Sequence, residues 1–183
     1  LPAASRWRCY ENVRSETCFL DIETTGLSAE TNHVTTVSLH QGGETKTFVK
    51  GRDLTSDRLT RELEESALLV TFNGQRFDVP FLETCFDVEI DVPHVDLMYP
   101  CKKLGRDGGL KVIEQDLGID RDMPDISGRD AVRLWHEYER GDERSLETLI
   151  EYNRADTANL EPLMETVADR LHERVFEAAM ADE

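Results

Sequence analysis

Asp21 and Glu23 stand two residues apart at the end of an apolar run, and no other feature constrains the fold of this chain as much. Residues 17–22 read as a short buried strand that Gly26 breaks soon afterwards. A side-chain period of two puts both carboxylates on one face of that strand. Like charges repel at close range, so the pair is costly beside Phe19, Leu20 and Ile22. A divalent cation is the usual offset, because Mg2+ sits on one or two carboxylates together with substrate phosphates. For these two residues alone, a metal-free acidic pair at a strand end explains the pattern as well.

The rest of the chain supplies a sheet for that strand. Val34, Val37 and Leu39 alternate over 33–40, a second strand; Gln41-Gly42-Gly43 is a tight turn, and 45–50 a third strand of an antiparallel meander. Residues 54–66 read as a polar helix and 67–72 as a buried strand ended by Asn73-Gly74. A short helix over 77–86 tolerates Pro80 in its first turn. Residues 104–109 form a glycine-rich loop, 110–117 a helix stopped at Gly118, and 123–128 a further loop. Helices over 129–140 and from 143 to about 177 complete the chain. On the last, Leu146, Leu149, Ile150, Asn153 and Thr157 share a face. Strands early and helices late imply an α/β or α+β layered fold with a central sheet. No repeat or linker divides it, so 183 residues are expected to form one domain, 1–183, with its core at about 17–165.

Composition narrows the partners. The net charge is −17, and only five of the 21 cationic residues are lysines. Nucleic-acid binders usually carry a basic balance, so bulk charge does not draw a polyanion to this surface. An acidic, lysine-poor surface suits a high-salt cytoplasm, and equally an ordinary acidic cytosolic protein. Cys9, Cys18, Cys85 and Cys101 show no metal-ligand spacing and read as free thiols in a reducing, cytoplasmic compartment. No run approaches ~18 apolar residues, so no membrane span is expected. The chain opens Leu1-Pro2-Ala3 without initiator methionine or hydrophobic signal region, as a processed or trimmed product would.

Two further acidic positions join the first pair. Asp78 lies just past a strand at a helix start, where an N-terminal cap would also place an aspartate. Tyr152 and Asp156 are four apart on a helix and stack on one face, which a solvated face would also allow. Their joint occurrence, in the order strand, strand–turn–helix and late helix, is what singles them out. The segment 19–27, Phe-Leu-Asp-Ile-Glu-Thr-Thr-Gly-Leu, resembles the first exonuclease motif of the DEDD (DnaQ-like) superfamily. The segment from Thr71 to Asp78 resembles the second motif, and Tyr152-x-x-x-Asp156 the third in its tyrosine form. The chain resembles the YprB-type ribonuclease-H-like domain. That domain also shows segments like His94-Val95-Asp96-Leu97, 109–114 and 125–129, so the likeness runs from about Phe19 to Leu163.

The resemblance implies a ribonuclease-H-like α/β fold with a mixed five-stranded sheet whose first three strands are antiparallel. It implies a 3′-to-5′ exonuclease on single-stranded DNA or RNA, using two Mg2+ or Mn2+ ions ~3.5–4 Å apart. Asp21, Glu23 and Asp156 would hold one ion, and Asp21 with Asp78 the second. Tyr152 would orient the attacking water. Thr24, Thr25 and Leu27 would line the groove at the terminal nucleotide, with Asn73 and Phe77 contacting sugar or base. Plainer roles stand beside these: Phe77 as a core aromatic, Asn73 as a turn residue, Asp96 as a cap or turn residue, and His94 without a role. A catalytically silent nucleic-acid-binding module and an endonuclease on the same fold are the alternative functions.

Overall fold

The computed structural model describes residues 1–121 and 126–181. Residues 123–125 of the expected loop over 123–128 lie outside the described residues, as does Asp125 of the 125–129 segment. A stretch of 3-10 helix, Ala3–Cys9, leads into a single turn, α1 (Tyr10–Val13). Three strands follow, β1 (Thr17–Thr24), β2 (Val34–Gln41) and β3 (Glu44–Val49). Helix α2 (Ser56–Glu64) precedes β4 (Leu68–Thr71), and α3 (Asp78–Phe86) precedes β5 (His94–Asp96). Helices α4 (Met98–Lys103), α5 (Leu110–Leu117), α6 (Gly128–Glu139) and α7 (Glu143–Ala181) complete the chain.

The sheet order is β3-β2-β1-β4-β5. β1, β2 and β3 pair antiparallel, while β4 and β5 run parallel to β1. This is the mixed five-stranded sheet that the family resemblance implied. β5 has only three residues, too few to carry a period, and α4 has no strong pattern of its own. The helix expected over 54–66 is shorter, beginning after Thr55, whose side chain accepts from the Arg58 N–H. The helix expected from 77 begins at Asp78, and α7 runs past 177 to Ala181.

The period-two pattern of β1 sorts its side chains onto two cores. Cys18, Leu20 and Ile22 pack with Val37, Leu39, Leu69, Leu59 and Leu82, under α2 and α3. Phe19 faces the other way, among Val70, Val95, Leu160, Leu163 and Val167 of α7. Trp7 and Tyr10 are buried in that same core, so the segment before β1, which carried no clear period, covers part of the sheet. A third cluster joins α6, through Leu134 and Trp135, to Leu146, Leu149 and Tyr152 of α7. On the expected α7 face Leu146, Leu149, Asn153 and Thr157 are buried and Ile150 is half-buried. Asp21 and Glu23 share the Phe19 side of β1, and therefore look toward α7.

The four cysteines are free. Among the described residues no helix is long and apolar enough to cross a membrane.

Candidate metal centre

β1 runs past its last residue paired with β4, which is Phe19 opposite Val70. Its later N–H groups need partners of another kind. The Ile22 N–H finds one in Asp78 Oδ1, 3.3 Å away, which locks the start of α3 against β1 between Asp21 and Glu23. Asp78 itself is buried. The turn that delivers it, 73–77, is held by Asp96 at the end of β5. One Asp96 oxygen accepts from the Asn73 N–H at 2.7 Å and the Met98 N–H at 3.1 Å; the other accepts from the Gln75 N–H at 3.1 Å. Asp96 is thus a turn residue, in line with its plainer reading. Asn73 has a positive φ of 62°, a conformation that asparagine tolerates in tight turns.

Opposite β1, helix α7 brings in Tyr152, Asn153 and Asp156. Carboxylate oxygens of Asp21, Glu23 and Asp156 lie within 4.8 Å of one another. Asp21 and Glu23 face the cleft half-buried, and Asp156 is buried. Asp78 is not part of this group of three, but its charge acts on both Asp21 and Glu23. A register shift in the β1–β2 ladder falls between Glu23 and Thr24, so the strand pairing changes just past the second carboxylate. Across β2, Ser38 lies opposite Asp21 and Thr36 opposite Glu23, small hydroxyls where bulk would close the site.

The electrostatics of the group run one way. Burial raises the Asp21 carboxyl well above the usual range, and Asp78, Glu23 and Asp156 push it further, against a hydrogen bond from Asn153. Burial, then Asp156 and Asp78, raise Glu23 to about 8, with Lys111 opposing. Burial raises Asp78 to about 7, against backbone N–H donors that include Ile22. Asp156 is raised by burial as well, with Arg121 opposing most strongly. Four carboxyl groups therefore crowd a poorly hydrated cleft with too little positive charge. Hard oxygen donors in that state are what Mg2+ or Mn2+ takes, and the fit is to the residues themselves. Burial and the neighbouring carboxylates also raise the Tyr152 hydroxyl above its ordinary value.

The other predicted positions divide. Leu27 is 88% exposed, beyond the end of β1. The Thr24 hydroxyl donates to the Gly26 carbonyl at 2.7 Å, and Thr25 Oγ1 accepts from the His33 N–H at 3.0 Å, so both hydroxyls shape the β1–β2 connection. Phe77 is half-buried against the α3 side of the core, its ring 5.1 Å from that of Phe81. His94 pairs with the Thr71 hydroxyl at 2.8 Å, and burial lowers its pKa.

Three further residues at the site carry no signal of a role in the sequence. Asn153 was visible only as a polar residue on an apolar face. Its amide donates to Asp21 Oδ2 at 2.7 Å, and its Oδ1 accepts from Ser38 and Thr36. Arg121 pairs with both Asp156 and the fully buried Glu114 of α5. Lys111, one turn before Glu114, holds its ammonium 5.2 Å from the centre of the Tyr152 ring.

Comparison with known proteins fits this arrangement. No curated protein matches the chain. Among solved structures, Brucella melitensis NrnC bound to pGG is similar over 95% of this chain and 79% of its own, with a TM-score of 0.65 and 20% identity. The same protein with bound Mg2+ gives a TM-score of 0.63 at 20% identity over the same shares. The family B DNA polymerase from the hyperthermophilic archaeon Pyrobaculum calidifontis is similar over 83% of this chain and 27% of its own, with a TM-score of 0.61 and 15% identity. At these identities the likeness is one of fold. A family model described as RNase H superfamily matches residues 18–168, a span that holds all five strands except Thr17 at the start of β1, and every carboxylate of the cleft. With most of its length matched, the chain belongs to the RNase H superfamily.

Proposed function

We propose that the protein is a divalent-metal-dependent nuclease of the DEDD type, acting as a 3′-to-5′ exonuclease on single-stranded ends of DNA or RNA. The observation that carries this reading is the meeting of Asp21, Glu23 and Asp156 within 4.8 Å, from a strand and a helix at opposite ends of the fold's sequence. Asp21, Glu23 and Asp156 would hold one Mg2+ or Mn2+ ion, and Asp21 with Asp78 a second. Bound there, the cations supply charge neutralisation for a phosphate and a water of lowered pKa. The NrnC structures, one with Mg2+ and one with pGG, support the choice of cation and of substrate class.

The chain's own residues have distinct tasks. Tyr152 keeps its proton at neutral pH, so it orients a water or a phosphate oxygen as a neutral donor and does not act as a base. Asn153 holds Asp21 in place. Exposed Leu27, with Thr24 and Thr25, lines the approach for the terminal nucleotide, and Asn73 and Phe77 form the side toward α3. A net charge of −17 repels a polyanion at long range, so attraction is confined to the loaded cleft. The four free cysteines fit a cytoplasmic setting.

End-labelled single-stranded oligonucleotides with Mn2+ or Mg2+ test the reading. Stepwise shortening from the 3′ end is expected, abolished by chelator and by Asp156→Asn. Cleavage indifferent to chelator, or equal in Asp156→Asn, removes it. Cutting of a closed circle makes the protein an endonuclease. Tight binding without turnover in any divalent cation makes it a silent nucleic-acid-binding module.

A further inference from the structure

Beside the carboxylate group lies a second charge constellation with no part in the chemistry above. Glu114 of α5 is fully buried, and Arg121, Asn159 and Lys111 all act on its carboxyl group. Its counter-charge is Arg121, whose Nε lies 3.0 Å from Glu114 Oε2. The same guanidinium reaches onward, and its Nη2 pairs with Asp156 Oδ1. Arg121 thus bridges one carboxylate inside the metal group and one outside it. Burial raises the Glu114 carboxyl, and Arg121 opposes that shift most strongly, so the guanidinium is the main group that favours a charged Glu114. The planar fork of arginine can serve two acceptors through different edges, and it matches a phosphate through two nitrogens. A divalent cation that ligates Asp156 competes with Nη2 for the same carboxylate. The Arg121 side chain is 20% exposed, so part of it reaches solvent beside Asp156.

We propose that Arg121 is a cation-displaced phosphate-binding residue: anchored on Glu114 through Nε, it gives up Asp156 when the divalent cation binds and takes a non-bridging oxygen of the substrate phosphate. This rests on the metal-dependent nuclease reading. It gives an acidic chain a fixed cation beside the loaded centre, withheld from the phosphate until the metal is in place.

Two measurements test it: calorimetric Mn2+ binding without nucleic acid, and binding of a short labelled single-stranded oligonucleotide with Ca2+ as a non-activating ion. Arg121→Gln is expected to bind Mn2+ severalfold more tightly, since a competitor is gone, and the oligonucleotide about tenfold more weakly, since a charged donor is lost. The double variant Glu114→Gln/Arg121→Gln replaces the buried ion pair with neutral partners, and is expected to show both changes even if the single variant unfolds. A pair that only braces α5 would lower the melting temperature and leave both affinities within twofold of wild type, which overturns the proposal. Weaker Mn2+ binding in the folded double variant overturns it too. Wild-type protein that fails to bind Mn2+, or Asp156→Asn that binds it equally well, counts against the metal centre itself and takes the proposal with it.

Discussion

The Asn153 amide donates to Asp21 Oδ2 at 2.7 Å while its own oxygen accepts from Ser38 at 2.7 Å and Thr36 at 3.0 Å. One side chain of α7 therefore ties down two strands and aims a carboxylate. Every polar atom of this buried amide is used, so its removal strands several partners at once.

Asn153→Ala is expected to cost about 2–3 kcal/mol in stability, from the lost hydrogen bonds and the unpaired groups left behind. Mn2+ affinity should fall with it, because Asp21 is no longer held. Urea unfolding and calorimetric titration check the two effects separately. Unchanged affinity in the folded variant would mean that Asp21 needs no orienting partner.

Stability without metal should depend on pH in a defined direction. The folded-state values of Glu23 and Asp78, about 8 and about 7, lie above those of ordinary carboxyl groups. Such groups favour the folded state while protonated, in acid, and that contribution is lost as pH rises through the folded values. The melting temperature in chelator should therefore fall between about pH 5 and pH 8. Mn2+ should reverse the fall, and Glu23→Gln should flatten it. A melting temperature that rises over this range in chelator would contradict the crowding of these carboxylates.

Gly74 is a steric requirement of the turn that delivers Asp78. A Cβ there would lie 2.3 Å from Thr71 Oγ1 and 2.5 Å from Thr71 Cβ. Thr71 cannot simply turn away, since its hydroxyl pairs with His94 on β5. Gly74→Ala is expected to destabilise by about 1–3 kcal/mol and to reduce metal affinity through Asp78. Chemical unfolding with a Mn2+ titration measures both, and a loss under about 0.5 kcal/mol would show that the turn has room.

Tyr152→Phe should lower the turnover rate by about 100-fold if the hydroxyl positions a reacting oxygen. The factor should stay constant from neutral to mildly alkaline pH, because Tyr152 keeps its proton throughout. Mn2+ affinity should be unaffected. A deficit that disappears on one side of neutrality would instead assign a proton transfer to this residue.

The sequence alone determined the layers and the two ends of the site. The alternation in β2, the glycine turn after it, and the Gly118 stop of α5 are local signals, and each is observed. So is the face of α7 that carries Asn153, because a helical period fixes which side chains lie together. The period of two in β1 put Asp21 and Glu23 on one side, and the sheet turns that side toward α7. Residues with short or aperiodic surroundings were not legible. The segment with Trp7 and Tyr10 has no repeat, and β5 is three residues long, so both depend on the sheet they cover or extend. The partners of the carboxylates were decided by tertiary structure alone. Nothing in the order of residues ties Asn153 to Asp21, Asp78 to the Ile22 N–H, or Arg121 to Glu114 and Asp156. Hydropathy sets which face is buried, whereas charge and hydrogen bonding act through distances that exist only once the sheet, α5 and α7 have packed.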